Sequence, residues 1–218
     1  MSLKLKKIDM PSLKPLTEKE LADISVMYPD KDGFIRNWLL MGPFPNLGER
    51  GSGKIMKGFL TDFLKPLGGE EKIIPDRKQV IHFLDDRYMG RDVAEGRKIV
   101  WMPYKSSTWK VDFIDVYGGE RKVAYAACYI ISDKDADYTL AIGSDDGFKV
   151  YLNHKLVLSK ATFRGCVKDS DKVSVKIRKG KNLLLVKIDQ FSGGWEFALR
   201  LLDSKTQKPI TDYTLKME

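Results

Sequence analysis

The stretch Tyr138-Thr-Leu-Ala-Ile-Gly-Ser-Asp-Asp-Gly-Phe-Lys-Val-Tyr-Leu-Asn-His-Lys-Leu-Val-Leu158 carries the strongest structural signal in the chain. Two short segments of alternating apolar residues flank Ser144-Asp145-Asp146-Gly147, and a third begins directly after Asn153-His154. Alternation with a period of two marks strands that put one face on a core. Two such runs only two residues apart read as a tight hairpin. The stretch therefore predicts antiparallel strands of a β-sandwich with a polar turn at one rim, a place where sandwiches can hold sugars or calcium.

Working outward, the same pattern recurs over most of the second half. Ile99–Met102, Val111–Val116, Lys122–Ile131, Tyr138–Ile142, Phe148–Leu152, Lys155–Leu158, Lys172–Ile177, Asn182–Asp189 and Trp195–Leu202 are β-branched or aromatic runs. Turns rich in Asp, Gly, Lys and Ser separate them, as expected for an all-β antiparallel sandwich or jelly roll. Asp133-Lys-Asp-Ala-Asp137 and Arg178-Lys-Gly-Lys-Asn182 read as hairpin loops, the second with a glycine able to take positive φ. Upstream, Thr17-Glu-Lys-Glu20 has capping-box spacing, followed by apolar residues at helical intervals and Pro29, which predicts one short N-terminal helix. Phe34–Met41 reads as a strand stopped at Gly42-Pro-Phe-Pro45. Residues 46–77 read as a long structured loop whose Phe59, Phe63 and Leu64 plug the sandwich edge. The expected organisation is a lead-in over residues 1–33 and a single sandwich over 34–218.

A chain of 218 residues, 43% hydrophobic, can bury one large β core. The formal net charge is +8, and residues 121–218 hold 18 basic and 12 acidic side chains against 20 and 18 in residues 1–120. That bias fits an anionic polymer such as a uronate-containing polysaccharide or nucleic acid, and it fits a merely soluble surface as well. Cys128 and Cys166 both sit in or beside apolar sequence, so no disulfide framework is needed. No run approaches the ~18 apolar residues of a membrane span, and the lysine-rich start lacks the apolar core of a signal peptide.

Catalytic constellations lack parts. Gly48-Glu-Arg-Gly-Ser-Gly-Lys54 has phosphate-loop spacing, but Ile55 stands where Ser or Thr is required, and prolines precede it instead of a strand. His82 and His154 are the only histidines, the first inside an apolar run and the second at a hairpin tip. The two Cys and two His show no zinc spacing. Adjacent carboxylates such as Asp85-Asp86, Asp145-Asp146 and Glu70-Glu71 project to opposite faces of a strand, so neighbours do not form an acid and nucleophile pair. A non-catalytic role is expected. Aromatic rings can stack on the apolar face of a pyranose. Tyr104 and Trp109, in a polar loop, are the aromatic candidates for that contact, with Trp195 after a Gly-Gly turn as a third; Trp38 and Trp195 also read as core residues that open apolar strands.

The order of Ser144-Asp145-Asp146-Gly147, Val150-Tyr-Leu-Asn153, Lys155-Leu-Val157, Lys179-Gly-Lys-Asn-Leu-Leu-Leu-Val-Lys187 and Gly193-Gly-Trp-Glu-Phe-Ala-Leu-Arg200 resembles the protective-antigen-type β-sandwich, over roughly residues 121–202. That domain occurs in yeast adhesins and bacterial toxins and as an accessory module in glycosidases. Trp38-Leu-Leu-Met-Gly-Pro-Phe-Pro-Asn46 with Leu67-Gly-Gly-Glu70 is similar to the lead-in of related modules in large bacterial carbohydrate-active proteins. The resemblance implies a glycan partner, an extracellular or periplasmic location and no nucleic-acid or membrane role. It also implies that Asp145 and Asp146 are joined by a cis peptide and hold calcium, which in turn holds sugar hydroxyls. Enzyme-linked members use the same Asp-Asp-Gly as a plain turn, and both readings stand at this point. The expected function is a carbohydrate-binding or accessory module of a polysaccharide-processing protein that uses Tyr104, Trp109, Asp145, Asp146 and Trp195. The alternative is an interdomain packing domain docked on a catalytic neighbour.

Overall fold

Long apolar runs pair here because both faces of the largest sheet are covered. The computed structural model describes residues 27–48, 55–83 and 97–217. The strands are β1 (Asn37–Pro45), β2 (Val80–Phe83), β3 (Arg97–Val100), β4 (Met102–Lys105), β5 (Val111–Asp112), β6 (Lys122–Ser132), β7 (Ala136–Asp145), β8 (Phe148–Leu152), β9 (Lys155–Lys160), β10 (Asp171–Ile177), β11 (Gly180–Gln190), β12 (Glu196–Asp203) and β13 (Thr214–Lys216). Two short helices are α1 (Lys57–Leu60) and α2 (Phe113–Tyr117), with a 3-10 turn at Lys65–Leu67. One sheet runs β4-β1-β6-β11-β8-β9 with β13 also on β6, the second runs β10-β7-β12-β5, and β2 pairs with β3. Every strand pairing among the described residues is antiparallel. The chain already pairs with the sandwich at Met27, which bridges Leu215.

Alternation sorts the side chains into two cores. Trp38 and Leu40 of β1, Ala124, Ala126, Cys128 and Ile130 of β6, and Leu184, Val186 and Ile188 of β11 face the four-stranded sheet and meet Leu140, Ile142, Trp195, Phe197 and Leu199. Their neighbours Leu39, Met41, Val123, Tyr125, Ala127, Leu183 and Leu185 face the other way, into a second core with Leu64, Ile73, Ile81, Ile99 and Trp101. The segment around α1 and the β2–β3 hairpin thus covers the back face of the larger sheet. This corrects the reading of Phe59, Phe63 and Leu64 as an edge plug: Leu64 is fully buried in that back core and Phe63 stacks on Phe44 at 4.8 Å.

One polar cluster anchors that cover. Glu70, 5% exposed, accepts hydrogen bonds from Tyr125 Oη at 2.7 Å, from Lys187 Nζ at 2.9 Å and from Tyr151 Oη. Lys187, wholly buried, also donates to the carbonyls of Phe59 at 3.1 Å and Thr61 at 2.5 Å. Desolvation pushes the Glu70 carboxyl up, yet the Lys187 charge and the hydrogen bonds from Tyr151, Lys187 and Tyr125 outweigh it and leave the group below the usual carboxylate range.

Several local readings changed. The Asp133–Asp137 and Arg178–Asn182 loops are not hairpins: β6 and β11 lie in the larger sheet and β7 and β10 in the smaller, so each loop crosses between sheets. The first strand does not stop at Gly42; β1 keeps pairing with β6 through Phe44 and Pro45 after a register shift that takes up the prolines. Val111–Val116 is not one strand: Asp112 accepts hydrogen bonds from the Ile114 and Asp115 amides, caps α2 and ends β5 after two residues. Ile99–Met102 is broken at Trp101, whose buried indole donates to Gln79 Oε1 at 3.0 Å. The β8–β9 turn is as expected, with Asn153 at φ 49° and His154 at φ 70°, the positive pair of a type I′ hairpin. The expected N-terminal helix, most of the Gly48–Lys54 loop and Asp85-Asp86 lie outside the described residues. Both cysteines are free thiols, and burial pushes Cys166 up to about 12. Among the described residues no helix is long and apolar enough to cross a membrane.

Candidate functional site

β7 runs out of the sandwich into the Asp-Asp-Gly turn, and three separate stretches of chain meet there. The peptide joining Asp145 and Asp146 is cis. The Asp146 amide donates to the Asp189 carbonyl at 3.1 Å, and the Asp189 amide donates back to the Gly147 carbonyl at 3.0 Å, so β11 clamps the turn from below. Glycine at 147 is a matter of space: a Cβ there would collide with Asp189 Oδ1 and lie 3.0 Å from the Lys160 carbonyl.

The two aspartates have different tasks. Asp146, 5% exposed, accepts the Arg164 amide on Oδ1 at 3.0 Å and the Phe191 amide on Oδ2 at 2.9 Å. It thereby ties the 161–170 crossover and the 190–194 turn to the rim. Arg164 adds bonds from Nε to the Ser144 carbonyl at 3.3 Å and from Nη2 to Ser144 Oγ at 3.1 Å, and its guanidinium pairs with Asp171. Asp145 is half-buried, with Oδ2 so near Gly194 that a Cβ there would be 2.7 Å away. Desolvation first, then the charges of Asp146 and Glu196, raise the Asp145 carboxyl to about 7 against a partial offset by Lys110. Glu196 sits opposite Asp145 in the β12–β7 register and is paired with Lys110.

Beneath them Asp189, 4% exposed, accepts Asn46 Nδ2 on Oδ2 at 3.0 Å, while Oδ1 has no hydrogen-bond partner among the described residues. Burial, reinforced by the Asp146 charge and opposed by the Asn46 hydrogen bond, pushes its carboxyl up to about 6.

A pocket of about 270 Å³ opens here, lined by Asp145, Asp146, Phe163, Arg164 and the Ser192–Gly194 turn. Phe163 is half-exposed at its mouth and meets Phe191 edge-on at 6.2 Å. Of the residues singled out from sequence, Asp145 and Asp146 are brought together in this pocket and the aromatic candidates are not among its walls. Tyr104 is half-buried on edge strand β4 and packs against the inter-sheet core. Trp109 leans on Phe34 at 5.6 Å, and Lys168 Nζ lies 4.6 Å from its ring centroid. Trp195 is fully buried between Phe113 and Tyr117, so its ring is a core residue and the expectation of a sugar contact there is corrected. Phe163, Phe191 and Asp189 carried no comparable signal: Phe163 lies in a crossover without periodicity, and Asp189 reads as one more strand residue.

Among the described residues no group of three or more His, Cys, Asp and Glu is arranged to hold a metal ion. Any hard cation at Asp145 and Asp146 would complete its shell from backbone carbonyls, water or ligand hydroxyls.

No protein-family model matches the chain, and no curated protein matches it. Solved structures similar to it include a β-glucosidase from Kluyveromyces marxianus, at 13% identity and TM-score 0.39 over 62% of this chain and 20% of that one. The epithelial adhesin 9 A domain from Candida glabrata, in complex with Galb1-4GlcNAc, is similar at 9% identity and TM-score 0.42 over 88% of this chain and 97% of that one. A GH31 alpha-xylosidase from Xanthomonas citri is similar at 11% identity and TM-score 0.34 over 65% and 19%. The chain spans about a fifth of the β-glucosidase chain it matches.

Proposed function

We propose that the chain is a non-catalytic carbohydrate-binding module that takes a glycan at the Asp145-Asp146 rim, outside the cytoplasm. One observation carries this reading: two carboxylates and a half-exposed phenyl ring, Phe163, line the same pocket. Carboxylate oxygens accept sugar hydroxyls, and an aromatic face receives the apolar C–H face of a pyranose. The sugar contact thereby moves from Tyr104 and Trp109 to Phe163.

The donors present are of the type calcium takes: they are hard oxygens, and the Asp145 carboxyl is held high by burial and then by the Asp146 charge, which a cation would offset. Bound there, the ion would supply open coordination positions for a sugar diol. Asp145 and Asp146 would hold it, with Arg164 and Phe191 amides fixing the Asp146 carboxylate in place.

Titration of the purified chain against a glycan panel, with calcium and with chelator, tests this. Retention that is lost with Asp145→Asn and with Phe163→Ala is expected. No retention on any glycan in calcium, unchanged by Phe163→Ala, would sink it. A packing-domain reading is favoured by one observation, the exposure of Leu60 (61%) and Ile74 (65%) on the segment that covers the back sheet. Under that reading the chain binds a separate catalytic domain, and no glycan.

A further inference from the structure

The chain that ends β1 and the rim are separated by about 100 residues in sequence, yet a single buried amide joins them. Asn46 is wholly buried, directly after β1. Its Nδ2 donates to Asp189 Oδ2 at 3.0 Å and to the Gln190 carbonyl at 3.0 Å, its Oδ1 accepts the Gly58 amide at 3.0 Å, and its own amide donates to the Arg121 carbonyl at 2.7 Å. Gly58 is glycine for the same contact, since a Cβ there would collide with Asn46 Oδ1.

The residues Asn46 grips are those that hold the rim. Asp189 bonds through its backbone to Asp146 and Gly147, and one residue beyond Gln190 the Phe191 amide binds the Asp146 carboxylate. Gln190 Nε2 also donates to the Gly193 carbonyl in the turn that faces Asp145, at 3.4 Å. Asn46 itself is not part of the pocket wall. We infer that Asn46 is a positioning residue for the Asp145-Asp146 site, acting through Asp189 and Gln190; the inference deepens the carbohydrate reading and rests on it for its functional meaning. Asparagine is the residue type the position calls for. Aspartate would turn an acceptor toward Asp189 Oδ2 and the Gln190 carbonyl, and leucine would leave both acceptors and the Gly58 amide unpaired in the interior.

Amide exchange at Asp146, Gly147 and Phe191 reads this directly, without any ligand. Asn46→Leu is compared with Leu64→Ala, a back-core change that touches none of these residues and serves as a stability-matched control. The expected result is exchange at the three amides faster by about tenfold or more in Asn46→Leu than in the control. Asp189→Leu should reproduce the effect and Asp189→Asn, which keeps an acceptor for Asn46, should spare it. Equal acceleration in Asn46→Leu and the control, or equal behaviour of the two Asp189 variants, overturns the inference. If Asn46→Leu does not fold, Asn46→Ser is judged by the same criterion. Calcium titration adds the functional readout, with a roughly tenfold loss of affinity expected in Asn46→Leu and not in Leu64→Ala; unchanged calcium affinity overturns the positioning role. Should the wild type bind neither calcium nor glycan while the three amides still respond selectively, the carbohydrate reading fails and the positioning of the rim by Asn46 stands.

Discussion

Two buried acidic clusters meet β11 two residues apart on the same face, through Lys187 and Asp189, and they differ in how their charge is met. On the back face the Glu70 carboxylate has two ammonium groups, Lys187 at 2.9 Å and Lys149 at 3.7 Å, and two phenols around it, and Lys187 has three acceptors, so its negative charge and its hydrogen bonds are met. At the rim burial first, and then the charge of Asp146, raise Asp145 to about 7 and Asp189 to about 6. The same strand supplies both, through Lys187 and Asp189. A balanced cluster is a staple, whereas an unbalanced one is poised for a positive or hydrogen-bonding partner.

The largest effect should come from unbalancing the staple. Lys187→Met leaves Glu70 with Lys149, at 3.7 Å, as its cation and frees the Phe59 and Thr61 carbonyls, and should lower the unfolding free energy by about 3 kcal/mol, read by urea denaturation. Adding Glu70→Gln should recover part of that loss, and an additive double variant would break the contrast between the clusters. Next in size is Gly147→Ala, whose methyl collides with Asp189 Oδ1 and presses on the Lys160 carbonyl. A cost of about 1–3 kcal/mol is expected, together with loss of rim binding. Wild-type stability after this change would mean that the turn is looser than its contacts imply.

The pH dependence should have opposite signs in the two regions. Glu70 is held below its usual value, so its contribution is present at neutral pH and is lost as the pH falls through the depressed value. Asp145 is raised, so the folded state holds its proton longer than the unfolded chain does. Its contribution is present below the ordinary carboxylate range and is lost as the pH rises toward about 7. Urea midpoints across pH should therefore show Asp145→Asn stabilising near pH 7 and nearly neutral at pH 4, whereas Glu70→Gln should be destabilising at pH 7 and stay so until the pH falls below the ordinary carboxylate range. Calcium should reduce the Asp145→Asn advantage at pH 7 by offsetting the rim charge. The smallest effect on stability belongs to Phe163→Ala, within about 0.5 kcal/mol for a half-exposed side chain. Its mark should be on glycan affinity, about tenfold weaker, or ~1.4 kcal/mol, in calorimetric titration.

Much of the sandwich was legible because strand alternation is local, whereas of the turns read as hairpins only β8–β9 is one, since the 133–137 and 178–182 loops carry the chain from one sheet to the other. Asn153-His154 sits where positive φ is tolerated, and the Asp-Asp-Gly turn is marked by its own residues. The α2 helix was misread because Val111, Phe113 and Ile114 look like strand residues until Asp112 is seen accepting two helix amides. The back core was read as an edge because Leu183 and Leu185 differ from Leu184 only by parity, and parity does not say that a second layer lies behind. At the site, the aspartate pair was legible and its aromatic neighbour was not.

By itself the sequence determined the fold class, the positions of the strands over residues 122–203, with ends shifted by up to three residues, and the polar turn at 145–147, since propensity, period and turn chemistry act over a few residues. Only the tertiary structure decided that Trp195 is core, that Phe163 shares a pocket with Asp145, and that Asn46 and Glu70 reach the same strand from far upstream. Those outcomes depend on register between distant segments and on which buried polar groups find partners. No local pattern encodes that pairing.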